Sequence, residues 1–331
     1  MDPSRPCIGF AAFNGGVSER DWPGAVWSLR EGLRRVTDVV DIAIQPASLS
    51  RPAQLDSSRS ARCDAVLLID FVAPVPEPLF IYSSSQEPPT VADSAAYEQA
   101  SGLFAESDWR ARSLARASGI TRDKIHVVPP ALVWRPNGRR QAPLRIRQVP
   151  RRKLLYICGT RRRRCSLLAD QVILDAFRIL RREYDPHVSL TIAGTQEWPF
   201  HGSPPGGVDF RGAASADVAS RLVDSHDLFV MPSSMEPFGL AFADALSRGV
   251  PCVIPGTYEM YGAITPGISG ALVDEGDAHE LASAIASTLA DDEMYHRCYE
   301  RAPAMAAYFS WERVARQITQ VISREVGLMT G

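Results

Sequence analysis

The sequence predicts an α/β protein made of two doubly wound, Rossmann-like domains, and three observations carry that expectation. Short apolar runs of strand length alternate with stretches of helical period through the first half. A Pro- and Arg-rich stretch from Trp134 to Lys153 then shows neither period and reads as a linker. After it the same alternation restarts and continues to the C-terminus. Buried parallel strands read as near-continuous apolar runs, and helices interleaved with them favour a parallel sheet. A chain of 331 residues is long enough for two such domains.

The elements follow in order. CIGFAAF (7–13) reads as the first strand, leading to a loop with Gly15 and Gly16. A helix is expected over 23–36, with Pro23 suited to its first turn because that position needs no N–H. VVDIAIQ (39–45), CDAVLLIDF (63–71) and PLFIYSSS (78–85) read as the next three strands, the last ending in a polar loop. GLFAESD (102–108) and KIHVVPPA (124–131) are two more, with a helix over 109–119 between them. Beyond the linker come a strand at 153–159, a helix at 170–184, and strands at 188–194 and 208–215. A helix at 216–226, the strand DLFVMPSS (227–234), a helix at 241–249, a strand at 251–256 and the segment GALVDEGD (270–277) follow, then helices to the end. In the last of these, Ser310 is a good N-cap, and Val314, Ile318, Val321 and Ile322 recur on one face.

Composition narrows the function classes. A hydrophobic content of 45% with 22% charged residues is that of a globular chain. A net charge of -2 supplies no basic field for nucleic acid or an anionic membrane. No apolar run approaches the ~20 residues of a membrane-spanning helix, and the N-terminus reads as a first strand rather than a secretion signal. Six cysteines (7, 63, 158, 165, 252, 298) form no C-x-x-C pair, so neither a disulfide framework nor a zinc site is expected. The protein reads as cytoplasmic.

The densest cluster of unusual residues is Ser233-Ser234-Met235-Glu236-Pro237-Phe238-Gly239-Leu240, between an apolar strand and a helix. In an open parallel sheet, ligands bind beyond the carboxyl ends of the strands, which is where this segment falls. Gly239 lets backbone approach a ligand, and the N–H groups at 239–241 suit an anion. Glu236 would repel a phosphate but suits sugar hydroxyls, and Asp244, eight residues on, suits a ribose diol. A plainer reading makes Glu236 a carboxylate favoured by a helix start and Asp244 a solvated one.

With its flanks, this segment resembles the retaining, glycogen-synthase-like group 1 glycosyltransferases of the two-domain GT-B fold. That family carries E-x7-E as E-P-F-G-L, then a second acid, then G-x-P-V. Here stand Glu236-Pro237-Phe238-Gly239-Leu240, Asp244-Ala245-Leu246, Gly249 and Pro251. Val208-Asp209-Phe210-Arg211-Gly212, PGISGALV (266–273) and Phe309-Ser310-Trp311 also match. The resemblance is strong from Lys153 onward and faint before it. It implies a nucleotide-sugar donor domain over 149–311. The first domain, over 1–148, would hold the acceptor and be completed by the last helix, 312–331. The two would face a central cleft that closes on the donor.

Two departures concern the donor. The second acid is Asp244 rather than Glu, one methylene shorter. The basic pair that holds the diphosphate in the family is replaced by Arg161-Arg162-Arg163-Arg164 after Gly159-Thr160. Guanidinium groups bind phosphate bidentately, and Arg161 and Arg164 are the favoured pair, although a basic run is also what a solvated loop looks like. In the N-terminal half, Gly15-Gly16 corresponds to the glycine loop that faces the donor phosphates. Ala105-Glu106-Ser107-Asp108-Trp109 and Val127-Val128-Pro129-Pro130 resemble strand-end motifs. Many relatives have a histidine after the fourth strand, whereas this chain has none before His126. Ser85 and Gln86 stand there and could hydrogen-bond a donor hydroxyl. Trp22, Trp134 and Trp198, in expected loops, suit stacking on a sugar.

The resemblance implies a hexosyltransferase that moves sugar, with retention, from a UDP- or GDP-linked donor to a small-molecule, lipid or glycan hydroxyl. Catalysis would rest on Glu236, Arg161 and Arg164. Gly15, Gly16, Pro237, Phe238, Gly239, Leu240, Asp244 and Arg211 would bind donor. Neither metal nor cofactor is implied; peripheral membrane contact stays open. Other readings also stay open: a catalytically silent nucleotide-sugar binder or partner subunit, or a GT-B epimerase or phosphorylase. Nucleic-acid binding through 135–164 is disfavoured, because that stretch lacks interleaved aromatics.

Overall fold

The computed structural model describes residues 5–12, 25–42, 44–45, 54–69, 78–83, 91–129, 131–132, 150–158, 164–232, 240–256 and 269–328. The chain divides into two compact units: Met1–Trp134 with Phe309–Gly331, and Arg135–Tyr308.

Unit 1 contains β1 (Cys7–Ala12), α1 (Ala25–Val36), β2 (Asp38–Asp41), β3 (Ile44–Gln45), β4 (Gln54–Leu55) and α2 (Ser57–Ser60). These are followed by β5 (Ala65–Ile69), β6 (Leu79–Ser83), α3 (Val91–Gln99), β7 (Gly102–Ala105), α4 (Asp108–Ser118), a 3-10 turn at Arg122–Lys124 and β8 (Ile125–Val127). Six strands form one parallel sheet in the order β2-β1-β5-β6-β7-β8. The apolar runs are continuous because both faces are covered: every residue of β5 and β6 is buried. The expected second strand, 39–45, does not form as one piece. β2 joins the sheet at 38–41, whereas β3 leaves it to pair antiparallel with β4.

Unit 2 contains β9 (Lys153–Ile157), α5 (Arg164–Glu183), β10 (Ser189–Ala193), β11 (Val208–Phe210), α6 (Ala216–Ser225), β12 (Leu228–Val230), α7 (Leu240–Leu246) and β13 (Cys252–Pro255). β14 (Gly270–Val273), α8 (Ala278–Ala290) and α9 (Asp292–Tyr308) complete it. Its parallel sheet runs β11-β10-β9-β12-β13-β14, which is the 3-2-1-4-5-6 order of a dinucleotide-binding fold. Asp227 ties two central strands together at their starts. One carboxylate oxygen accepts from the N–H groups of Arg152 and Lys153, each at 2.9 Å. α5 begins at Arg164, six residues earlier than its apolar period suggests, so Arg164 opens a helix rather than sitting in a loop.

The last helix, α10 (Trp311–Glu325), belongs to unit 1. Ser310 caps it by accepting from Arg313 N, and Trp311, Val314, Ala315, Ile318 and Ile322 are buried with Phe10, Leu29, Leu33 and Phe80. Gly32 of α1 permits that packing, because a Cβ there would lie 3.0 Å from the Trp311 carbonyl oxygen.

Candidate functional site

Strand order locates the site before any side chain is considered. In unit 2 the chain leaves β9 toward β10 on one side, and later returns to place β12 on the other, so β9 and β12 flank the point where the order reverses. A crevice opens beyond the carboxyl ends of strands at such a switch point. Two segments follow those ends: 158–164 after β9 and 231–240 after β12. They carry the arginine run and Glu236-Pro237-Phe238-Gly239-Leu240. Because the strands are adjacent, their ends lie about 5 Å apart. Two motifs separated by some 70 positions thus directly follow, in sequence, two adjacent strands of one sheet.

Arg161, Glu236, Pro237, Phe238 and Gly239 themselves lie outside the described residues, as do Gly15, Gly16, Ser85 and Gln86. Arg164 and Leu240 are the first residues of α5 and α7. The backbone around them is closely fitted. At the end of β10, Gly194 has φ 111°, and a Cβ there would run into the Cys158 carbonyl, so only glycine lets these strand ends converge. Gly194 N–H donates to the Gly212 carbonyl at 2.9 Å, closing the edge toward β11.

Arg211 follows β11, two strands away from β9, and forks onto Asp209 from Nε and Nη2, both at 2.7 Å. Both side chains are at least half exposed. The sequence match at 208–212 therefore places Arg211 at the sheet's edge strand rather than beside the switch point. Trp198 packs against Phe200 and Phe210, with ring centroids 4.8 and 5.5 Å away. That packing makes it part of an aromatic cluster on the unit 2 core instead of a loop platform for a sugar.

Asp244 lies in α7, where the sequence expects a helical acid, and it is held rather than solvated. Its Oδ2 accepts from Ser220 Oγ at 2.6 Å, and its Oδ1 accepts from Arg248 Nε at 2.9 Å. Arg248 also donates through Nη1 to Asp224 at 2.6 Å, and its side chain is only 8% exposed. Flanking carboxylates hold the guanidinium pKa above its ordinary value, against the opposing effect of burial. The solvated-carboxylate reading of Asp244 is thus replaced by a braced one. Its partners were not anticipated, although Asp244 and Arg248 stand at i and i+4, the spacing of a helical ion pair.

In unit 1, β6 and β7 end beside a buried polar group. Ser107 caps α4, accepting from Arg110 N at 3.1 Å, and Arg110 donates through Nη2 to Ser83 Oγ at 2.9 Å. Ser83, Glu106, Ser107 and Arg110 are all buried at 2% exposure or less. The Ala105–Trp109 motif thus corresponds to a cap and an internal arginine, which fix the carboxyl ends of two strands.

Comparisons with known proteins agree with this architecture. The profile of the family described as Glycosyl transferases group 1 matches residues 170–305. The D-inositol 3-phosphate glycosyltransferase of Mycobacterium marinum is 28% identical over 263 residues, covering 74% of this chain and 55% of that protein. Its counterpart from Corynebacterium urealyticum is 37% identical over 100 residues, 30% of this chain and 24% of that protein. The chain thus spans about half the length, or less, of these curated relatives. Among solved structures, the Anabaena protein HepE in complex with UDP and glucose superposes with a TM-score of 0.63 at 17% identity. That match covers 96% of this chain and all of the other. Sucrose-phosphate synthase from Thermosynechococcus elongatus gives 0.65 at 16%, covering 97% and 99%. The fold is GT-B, and residues 170–305 of the C-terminal unit are similar to the group 1 glycosyltransferases.

Proposed function

We propose that the protein is a retaining hexosyltransferase that moves sugar from a UDP- or GDP-linked donor to an acceptor hydroxyl. The observation that supports this reading is that β9 and β12 flank the switch point, the arginine run and the Glu236 segment being the stretches that follow them in sequence. In the reaction, the bond from the anomeric carbon to the diphosphate oxygen breaks and a bond to the acceptor oxygen forms on the same face. The acceptor proton passes to the departing phosphate. Negative charge grows on the diphosphate, and fixed guanidinium groups there lower the barrier most effectively. Arg161 and Arg164 fill that role, and Gly15 and Gly16 bind donor. Glu236 accepts from donor-sugar hydroxyls, Asp244 from the ribose, and Ser85 or Gln86 takes the place of the family's histidine. Pro237, Phe238, Gly239 and Leu240 shape the backbone around the sugar.

Metal is not required in this scheme, because arginine supplies the charge. The names of the curated relatives make D-inositol 3-phosphate the first acceptor to try. A nucleoside-diphosphate panel tests the donor half. A ligand at ~100 times its dissociation constant stabilises the protein by ~2.7 kcal/mol, so UDP or GDP should raise the thermal midpoint clearly. If millimolar UDP and GDP both leave it unmoved, the donor assignment is wrong.

A further inference from the structure

α6 and α7 both descend from the carboxyl-end edge of the unit 2 sheet, since each follows a strand of that parallel sheet. Ser220 and Asp224 are one turn apart on α6, and Asp244 and Arg248 are one turn apart on α7. The hydrogen bonds join them rung by rung. Ser220 meets Asp244 nearer the strand ends, Arg248 meets Asp224 one turn below, and Arg248 Nε links the rungs by rising to Asp244. Asp244 is the fifth residue of its helix, about 6 Å along the axis from the start, so the upper rung lies one turn or so into α7. An aspartate on a helix surface otherwise exchanges rotamers freely, and its short side chain gives each rotamer a different reach.

We propose that Arg248, held by Asp224, is a positioning residue that acts with Ser220 to lock the Asp244 carboxylate in one orientation for the hydroxyls of the donor's ribose. The inference rests on the reading of Asp244 as a ribose acceptor. A carboxylate offers ~four acceptor positions, so the bonds from Ser220 and Arg248 are compatible with a hydroxyl donating as well. The charged brace from below keeps the group aimed while a diol binds from the edge. An aspartate is thereby given, through a fixed orientation, a function that a longer acid performs by reach.

The test measures the preference of the full chain for UDP over 2′-deoxy-UDP, and for GDP over 2′-deoxy-GDP, by calorimetry. A hydroxyl donating to a fixed carboxylate is worth about tenfold or more in affinity. The wild type should show that preference with whichever base it binds, and Asp244→Asn should reduce it to about threefold or less. Arg248→Met should do the same, and Arg248→Lys should restore part of it. Ser220→Ala, which places the best helix former in α6 and so tests the brace without threatening the fold, should at least halve the preference. A variant that weakens ribo- and deoxyribonucleotide equally, with the preference intact, braces the fold alone. If Arg248→Met and Ser220→Ala behave so while Asp244→Asn abolishes the preference, the positioning role is overturned and the ribose reading stands. If the wild type shows no preference, or Asp244→Asn keeps it, the ribose reading fails and the positioning role with it. If neither diphosphate binds, the donor assignment itself fails.

Discussion

Ile318 offers a quantitative test of how unit 1 is held together. Its side chain is fully buried in α10, among Phe10, Leu33, Phe80, Val314 and Ile322. Ile318→Ala removes three carbons, about 2.4 kcal/mol of transfer free energy at ~0.8 kcal/mol each. The cavity left in so close a packing adds to that, giving a loss of about 3 to 4 kcal/mol within the usual range for this change. A protein of two units is unsuited to a single unfolding free energy, so the measurement is amide hydrogen exchange resolved by strand. The slowest amides of β1, β5 and β6 should exchange at least 100-fold faster, by the rule of ~1.4 kcal/mol per decade. Those of β9, β10 and β12, in the other unit, should change by less than about threefold. Arg316→Ala, at a 64% exposed position on the same helix and paired with Glu312, should cost no more than ~1 kcal/mol. Equal acceleration in both units, or none in unit 1, would refute the assignment of α10 to the first core.

Three further outcomes are expected. Arg161→Ala and Arg164→Ala should each weaken nucleoside-diphosphate binding at least tenfold while changing nucleoside binding little, as measured by calorimetry; equal losses would mean the guanidinium groups do not meet the diphosphate. Excess EDTA should leave sugar transfer within twofold of its starting rate, and a loss restored by Mg2+ would show that a cation does the work assigned to the arginines. Burial pushes the Cys298 thiol up to about 12, against an unfolded value near 8.5, so its contribution to stability is complete below about pH 8.5 and is lost as pH rises toward 12. The urea midpoint of unit 2 should therefore fall more steeply between pH 8.5 and 10.5 in the wild type than in Cys298→Ala, and parallel slopes would contradict that.

Much of the fold is legible because a parallel sheet covered on both faces writes itself as apolar runs. AVLLI, LFIYS and LFV stand out for that reason. α3 is missed because it has little amphipathic signature: of its Ala- and Ser-rich described positions only Tyr97 is buried. The break between β2 and β3 is missed because a continuous run of β-forming residues hides a change of partner. The arginine run disguises the start of α5, since four consecutive charges carry no helical period. The segment from Glu236 to Leu240 stands out in the sequence because its chemistry is local. The Asp244 brace is half legible, because Arg248 is one turn away in sequence, whereas Ser220 and Asp224 come from another helix. The surroundings of Arg211 are hidden for the opposite reason: its motif is local, but the edge position of β11 and its pairing with Asp209 appear only in three dimensions.

Retaining transfer from a nucleotide sugar, with Glu236 at the donor, is tested by the anomeric configuration of the product. The protein would be incubated with α-configured UDP- and GDP-hexoses, with and without D-inositol 3-phosphate, and followed by proton NMR from the first turnovers. The account predicts that the first glycoside, or the first sugar released to water, has the α-configuration. It also predicts that Glu236→Gln lowers the rate by at least 100-fold while the thermal midpoint without ligand stays within about 2 °C. A β-configured first product, or near wild-type turnover in Glu236→Gln at saturating donor, would contradict it.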